Sequence, residues 1–209
     1  MTGNNVNTVK WLEIRSRHPW LFMLIVAGKR CRTKIGLLLV LVLIGHILKA
    51  QEMPIGFAPL HAVAAIGLVL IMAGTTLRIG ALGILKKKEL LSSGGAYSLC
   101  RHPLYTGSIL ITYGFCCLLG HLDGFVVATL YFLLFYSLTI IWEEIRLAER
   151  YGTDHQAFAQ STPLLLPVGR YRPGAFNWRT AHSNGAGLLL LLVALLLAGI
   201  QLISRLRMG

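Results

Sequence analysis

The sequence predicts an all-α, polytopic membrane protein with about five transmembrane helices. Three observations predict this class: 55% of the 209 residues are hydrophobic, only 13% are charged, and long apolar stretches separate the charged clusters. Typical soluble domains carry about a quarter charged residues. Twenty Lys and Arg against eight Asp and Glu give a net charge of +12. Beside apolar runs, this excess is typical of basic membrane-protein loops, and we expect no nucleic-acid partner.

The individual spans follow from the length of each apolar stretch, because a transmembrane helix needs about 20 such residues. Four stretches without acidic or basic residues reach or approach that length: Ile55–Leu77, Pro103–Gly120, Gly124–Trp142 and Ala186–Ile203. A fifth stretch, Ile35–Leu48, is shorter, but the lysines that flank it can extend to the headgroups. We interpret the earlier patch Pro19–Gly28 as an interfacial segment.

The positions of Lys and Arg predict the orientation. With the N-terminus in the cytoplasm, the cytoplasmic side collects 16 of them and the far side three, and Arg78 stays inside its helix. We therefore predict three regions: 1–85 with the interfacial segment and two spans, 86–185 as a functional core, and 186–209 as a final span. The core contains a helical hairpin over 103–142 and an amphipathic cytoplasmic helix over Ile145–Gln160.

The predicted hairpin brings two polar segments to one membrane face. The first, residues 92–107, reads SSGGAYSLCRHPLYTG. Its paired glycines allow a sharp turn or the close approach of a ligand. Pro103 suits the first turn of the next helix, where free N–H groups favour a carboxylate or phosphate. Four side chains add donors and ring faces there: Arg101, His102, Tyr97 and Tyr105.

The second segment begins with Glu143 and Glu144, directly after an apolar span. Each carboxylate would cost about 2.5–3.5 kcal/mol at the bilayer centre and less at the interface. Two interpretations stay open. The glutamates can pair with Arg146, Arg150 or Arg101 at the end of the span, or they can serve a functional site. Similarly, Arg101 and the tyrosines can anchor the helix at the headgroups.

Together the two segments resemble the isoprenylcysteine carboxyl methyltransferase family and the related phospholipid methyltransferases. The family pattern is a Gly-x-Tyr turn, Arg-His-Pro-x-Tyr-x-Gly, a hairpin, Glu-Glu, a Leu, Phe/Tyr-Gly and a Pro-rich exit. Here the matching residues are Gly95–Tyr97, Arg101–Gly107, Glu143-Glu144, Leu147, Tyr151-Gly152 and Pro163–Pro167.

The resemblance implies S-adenosyl-L-methionine bound in a cytoplasmic pocket and methyl transfer to a lipophilic acceptor, either an isoprenylcysteine-type carboxylate or a lipid headgroup. It makes Arg101 and Glu143 the expected catalytic residues, and membrane lipids the expected surroundings. The residues implied to bind the cofactor are Glu89, Leu90, Leu91, Ser92, Tyr97, His102, Pro103, Leu104, Tyr105 and Glu143. One departure bears on the acceptor: eukaryotic isoprenylcysteine enzymes carry an Arg where this chain has Thr139, which disfavours the isoprenylcysteine carboxylate.

Two other classes compete with this interpretation. Sterol-type, NADPH-dependent membrane reductases carry a similar Arg-His-Pro-x-Tyr string, but the tight hairpin followed by Glu-Glu argues against them. A non-enzymatic channel or transporter subunit would place ionisable residues in several spans, where this chain has only Arg78, His46 and His61. We predict no metal site, since the four cysteines, Cys31, Cys100, Cys116 and Cys117, lack metal-type spacing.

Overall fold

The computed structural model describes residues 23, 60–85, 91–120 and 122–208 of the chain. The regular structure of these residues is helical, which confirms the predicted all-α class. The helices are α1 (Leu60–Ile84), α2 (Ala96–Leu99), α3 (Pro103–Leu119), α4 (Leu122–Tyr131), α5 (Ser137–Ser161), α6 (Trp178–Ser183) and α7 (Ala186–Met208), with a π-helical turn at Phe132–Tyr136 between α4 and α5.

Four apolar helical stretches correspond to predicted spans. Among the described helices, two are long and apolar enough to cross a membrane, Ala62–Ile84 and the continuous stretch Leu122–Ser161. Pro103–Leu119 and Ala186–Leu202 are apolar but shorter. The predicted span Ile35–Leu48 lies outside the described residues, as does the interfacial patch at 19–28 apart from Met23. The number of five spans therefore stays a prediction.

The chain divides into two compact units. One contains Phe57–Gly120 with Thr162–Gly209, and therefore holds α1, α2, α3, α6 and α7. Within it, α1 is the central helix and contacts the other four. The second unit contains His121–Ser161, and therefore holds α4, the π turn and α5.

Glycines set the packing of α1 against α3. A Cβ atom on Gly67 or Gly114 would lie 2.6–2.7 Å from the carbonyl oxygen of the other, and the same holds for Gly74 and Gly107. Because position 67 faces 114 while 74 faces 107, the two helices run antiparallel. Small residues allow such close backbone contact, which is how membrane helices gain packing energy where lipid removes the hydrophobic driving force.

Gly74→Ala is expected to destabilise the protein by about 1–3 kcal/mol, because the added methyl group meets a backbone carbonyl that cannot yield. Chemical denaturation in detergent micelles measures this loss. Gly199→Ala is the matched control: nothing lies within 4 Å of a Cβ there, and Ala favours the helix. Equal stabilities of the two variants would contradict the close packing of α1 and α3.

The second unit differs from the sequence expectation at the paired glutamates. The pattern placed the end of a span at Trp142 and a separate surface helix from Ile145, whereas α5 runs through this region without a break. Glu, Arg, Leu and Ala are good helix formers, so the change from apolar to charged residues does not end the helix. The interruption falls instead at Gly152, whose φ of 50° and ψ of −118° are not helical.

Candidate functional site

The site in the first unit begins with the turn that precedes α2. Gly95 has φ 56° and ψ −127°, a conformation that residues with a side chain rarely adopt. The close approach predicted for this glycine pair is made by the protein itself, since a Cβ on Gly94 would lie 2.6 Å from the Pro173 carbonyl oxygen. The glycines therefore serve a sharp turn covered by a later segment of the chain.

That covering segment, residues 162–177, is non-helical and we call it the strap. Main-chain hydrogen bonds hold it along the turn and the start of α3. The Arg101 N–H donates to the Pro163 carbonyl at 2.8 Å, and the His102 N–H donates to the Leu164 carbonyl at 3.1 Å. Three further main-chain hydrogen bonds of 2.8–3.0 Å hold the strap. The Gly95 N–H donates to the Arg172 carbonyl, the Gly169 N–H to the Leu99 carbonyl, and the Asn177 N–H to the Gly83 carbonyl. The strap thus fixes the backbone of the Arg-His-Pro segment.

Ser98 joins the turn to the strap through its side chain. Its hydroxyl is almost fully buried, donates to the Gly95 carbonyl at 2.7 Å and accepts from the Arg172 N–H at 2.9 Å. The Arg172 side chain in turn donates to the Thr162 hydroxyl at 3.2 Å. One small buried hydroxyl therefore satisfies polar groups on both sides of the contact.

Ser98→Ala is expected to lower the free energy of unfolding by about 1–3 kcal/mol, since it leaves the Arg172 N–H without its buried acceptor. Denaturation in detergent gives the value. Ser183→Ala removes an exposed hydroxyl that donates to Thr180 within α6, and we expect a smaller effect there. If both variants lost the same stability, Ser98 would not be the link that we describe.

His102 and Tyr105 lie at the start of α3 and are both buried, with 5% and 8% of their surface exposed. Their ring centroids are 5.6 Å apart. His102 caps α3 through its backbone: its carbonyl accepts from the N–H groups of Tyr105 at 3.0 Å and Thr106 at 3.1 Å. These two donors are thus engaged within the helix.

The remaining predicted residues of this unit are placed as follows. Tyr97, on α2, is buried with 8% exposed, and Arg101 is half-buried. Leu91 and Ser92 are half-buried, and the Ser92 hydroxyl lies 3.5 Å from the Ile84 carbonyl oxygen. Glu89 and Leu90 lie outside the described residues.

Leu104 connects the site to the charged residue within α1. Nη1 of Arg78 donates to the Leu104 carbonyl at 2.9 Å and also contacts the Ser108 hydroxyl. Gly107 leaves room for the arginine stem, since a Cβ there would lie 2.5 Å from Arg78 Cγ. A charge within an apolar helix is costly unless polar groups compensate it. Here the compensation ties α1 to the first turns of α3.

Cys100 packs within the same turn. It is fully buried, and its Sγ lies 3.6 Å from the Thr106 hydroxyl. Burial raises the pKa of the Cys100 thiol, and the hydrogen bond to Thr106 only partly opposes this effect. The thiol is therefore neutral near pH 7, which supports a packing role for this residue.

The second unit carries the paired glutamates on α5. Glu143 and Glu144 are half-buried, and Glu144 Oε2 lies 3.6 Å from His155 Nε2. Eleven positions along a straight helix span about 16 Å, too far for this contact. The non-helical Gly152 turns the chain back between the two residues. The sequence contained the Tyr-Gly signal for this turn, but we did not predict the pairing of Glu144 with His155.

α5 also carries two of the arginines considered as partners of the glutamates, and Thr139. The Arg146 guanidinium lies 4.7 Å from the centre of the Trp142 ring, and that of Arg150 lies 5.6 Å from the Tyr151 ring. Both arginines thus make cation–π contacts. Thr139 is fully buried and its hydroxyl donates to the Phe135 carbonyl at 2.7 Å. The meeting of Glu143 with His102 stays a prediction from the hairpin.

Part of this chain is similar to known proteins. Residues 61–154 match the family model described as phospholipid methyltransferase, which confirms the predicted resemblance. The chain is also 35% identical over 100 residues to the "Cobalt-zinc-cadmium resistance protein CzcN" of Cupriavidus metallidurans. That alignment covers 47% of this chain and 45% of the relative, so the match spans less than half of that protein. No solved structure matches the chain.

Proposed function

We propose, from the match of residues 61–154 to the phospholipid methyltransferase family, that the protein is an S-adenosylmethionine-dependent membrane methyltransferase with a lipophilic acceptor. The observation that carries the proposal is the buried pair of His102 and Tyr105 at the start of α3, inside the matched segment. The active site would face the cytoplasm, as the distribution of Lys and Arg predicts.

The donor and aromatic groups of the first unit fit the chemistry of this cofactor. An imidazole can donate to its carboxylate, and the rings of Tyr97 and Tyr105 can lie over the positive sulfonium or stack on adenine. All three side chains are buried, with at most 8% of each exposed. Hydrogen bonds and cation–π contacts are stronger where water is excluded. Leu91, Ser92, Pro103 and Leu104 are the other described members of the predicted binding set in this unit. Glu143 of the second unit, together with Glu89 and Leu90, is proposed as its remainder.

When bound, the cofactor supplies an electrophilic methyl group on a positively charged sulfur. The residues of the chain would contribute position and electrostatics. The main-chain bonds from the strap hold the backbone of Arg101 and His102 in place. Arg101 would hold an acidic acceptor or the cofactor carboxylate. The carboxylate of Glu143 would accept a hydrogen bond from an amino or hydroxyl group. Where that group is the methyl acceptor, the carboxylate would also take the proton that the group releases on methylation.

The acceptor is proposed to be a membrane lipid or a lipid-modified molecule. The family description names phospholipids, and the apolar helices would give such an acceptor a lateral route from the bilayer. The buried Thr139 supplies no cation of its own, which favours a headgroup over an isoprenylcysteine carboxylate. The name of the metal-resistance relative describes that protein and specifies no acceptor.

Incubation of the purified protein with methyl-labelled S-adenosylmethionine and native membrane lipids tests the proposal. We expect the label in a lipid fraction, and mass spectrometry of that product identifies whether oxygen or nitrogen is methylated. An equal amount of protein with His102 replaced by alanine serves as the control for contaminating activity. Absence of a labelled lipid with every native fraction would contradict methyl transfer to a membrane lipid.

Ligand binding separates the proposal from a sterol-type reductase. We expect S-adenosylhomocysteine to raise the melting temperature of the protein in detergent, and NADPH to leave it unchanged. Because both measurements use the same protein preparation, a folding defect cannot produce the difference. Stabilisation by NADPH alone would favour the reductase.

A further inference from the structure

The outward side of the strap and α6 combines large apolar side chains with arginines. Four apolar or aromatic residues are more than three-fifths exposed: Leu166 (69%), Val168 (75%), Tyr171 (64%) and Trp178 (69%). The arginines of the same region, Arg170, Arg172 and Arg179, are exposed as well. We define these seven residues as the outer strap surface.

The backbone behind this surface is firmly held, so the exposure is not that of a loose loop. The Phe176 ring fills the space above Gly83, where a Cβ would clash with the ring. The Asn177 side chain caps α6 by accepting from the N–H groups of Arg179 and Thr180 at 2.8 and 3.2 Å. With the main-chain bonds to the turn, these contacts fix which side chains point away from the unit.

The strap and α6 cross the ends of three apolar helices. The Asn177 N–H donates to the Gly83 carbonyl, and the Asn184 side chain donates to the carbonyls of Leu82 and Leu85 at 2.9 and 3.1 Å. These carbonyls end α1. The strap also bonds to the start of α3, and α7 begins directly after α6 at Ala186. Apolar helices end where hydrocarbon gives way to headgroups, so the outer strap surface lies at that level.

We propose that the outer strap surface binds the anionic headgroups of the membrane. Its charge argues for this occupant, because the chain contains no Asp or Glu after Asp154, while the surface carries three arginines. Arginine attracts anionic lipid phosphates, and aromatic side chains such as Tyr171 and Trp178 favour the interfacial layer. Neither contact depends on methyl transfer, so this inference stands apart from the proposed function.

Hydrogen–deuterium exchange of the full chain tests this proposal. The protein is placed in nanodiscs, one copy per disc, of phosphatidylcholine alone or mixed with phosphatidylglycerol. We expect the anionic lipid to slow exchange of the strap and α6 by roughly fivefold per contributing arginine, and high salt to remove the effect. Exchange that is equal in both lipids would overturn the proposal.

Two double variants test which arginines are responsible for the lipid dependence of exchange. R170Q/R179Q removes two charges from the surface and keeps Arg172, whose side chain donates to Thr162 within the strap. R205Q/R207Q removes two charges near the opposite end of α7. Only R170Q/R179Q is expected to lose most of the lipid dependence. Equal losses in both variants would indicate a general charge effect and would overturn the assignment. Protection that needs two copies per disc, but no anionic lipid, would assign the surface to self-association instead.

Discussion

Gly152→Ala is expected to disrupt the turn within α5 and to lower the free energy of unfolding by about 1–3 kcal/mol. The physical reason is the backbone conformation at this position, with φ 50° and ψ −118°, where a Cβ atom clashes with its own main chain. Relief of that strain requires the second half of α5 to move away from the first. The contact between Glu144 and His155 would then be lost.

A double-mutant cycle measures whether that contact has been lost. Glu144→Gln and His155→Gln, alone and together, are expected to give a coupling energy of about 0.5–3 kcal/mol in the native background. The pair is mostly buried, with 20% and 7% of the two side chains exposed, so screening by water does not abolish the interaction. In the Gly152→Ala background we expect the coupling to fall to nearly zero.

Gly199→Ala again supplies the control, because this glycine has open space around it and no positive φ. It is expected to leave the coupling of Glu144 and His155 unchanged. A native-sized coupling in the Gly152→Ala background would show that the turn tolerates a side chain. The Tyr-Gly part of the family pattern would then need a different explanation from the turn described here.

The fold class and the positions of the four described apolar stretches were predictable because they follow from local sequence. A run without charge, such as 186–203, has few alternatives to a membrane helix, and a Pro at position 103 favours a helix start there. The break at Gly152 and the continuity of α5 through the glutamates were not predictable in this way. Both depend on which of several weak local preferences the tertiary contacts favour.

For the candidate site, the sequence suggested residue types but not how the surrounding turn is built. The Arg-His-Pro segment made His102 and Tyr105 candidates, and the structure places both of them buried at the start of α3, while their role stays a prediction. The sequence did not indicate that Ser98 links the turn to the strap, or that the paired glycines accommodate Pro173 and Gly174. These contacts join residues more than 70 positions apart, and no periodic pattern reports such pairs. The Pro-rich exit was a local signal that a non-helical segment begins there.

His102→Ala is expected to weaken the binding of S-adenosylhomocysteine by roughly 10- to 100-fold, because one hydrogen bond to a charged group is worth about 1.5–3 kcal/mol. The main-chain hydrogen bonds of this residue are expected to survive the substitution. The N–H and carbonyl of His102 form the bonds to Leu164, Tyr105 and Thr106, and alanine retains both groups. The turn should therefore keep its shape while the imidazole is lost.

Isothermal titration calorimetry in detergent gives the affinity, and His182→Ala is the matched control. His182 lies exposed on α6 of the same unit, so its removal deletes an imidazole of equal size without touching the turn. Similar melting temperatures of the two variants without ligand would establish that both fold. If His102→Ala then bound S-adenosylhomocysteine as tightly as His182→Ala, the imidazole would not contact the cofactor. The buried pair with Tyr105 would in that case serve only to pack the start of α3, and the proposed function would lose the observation that carries it.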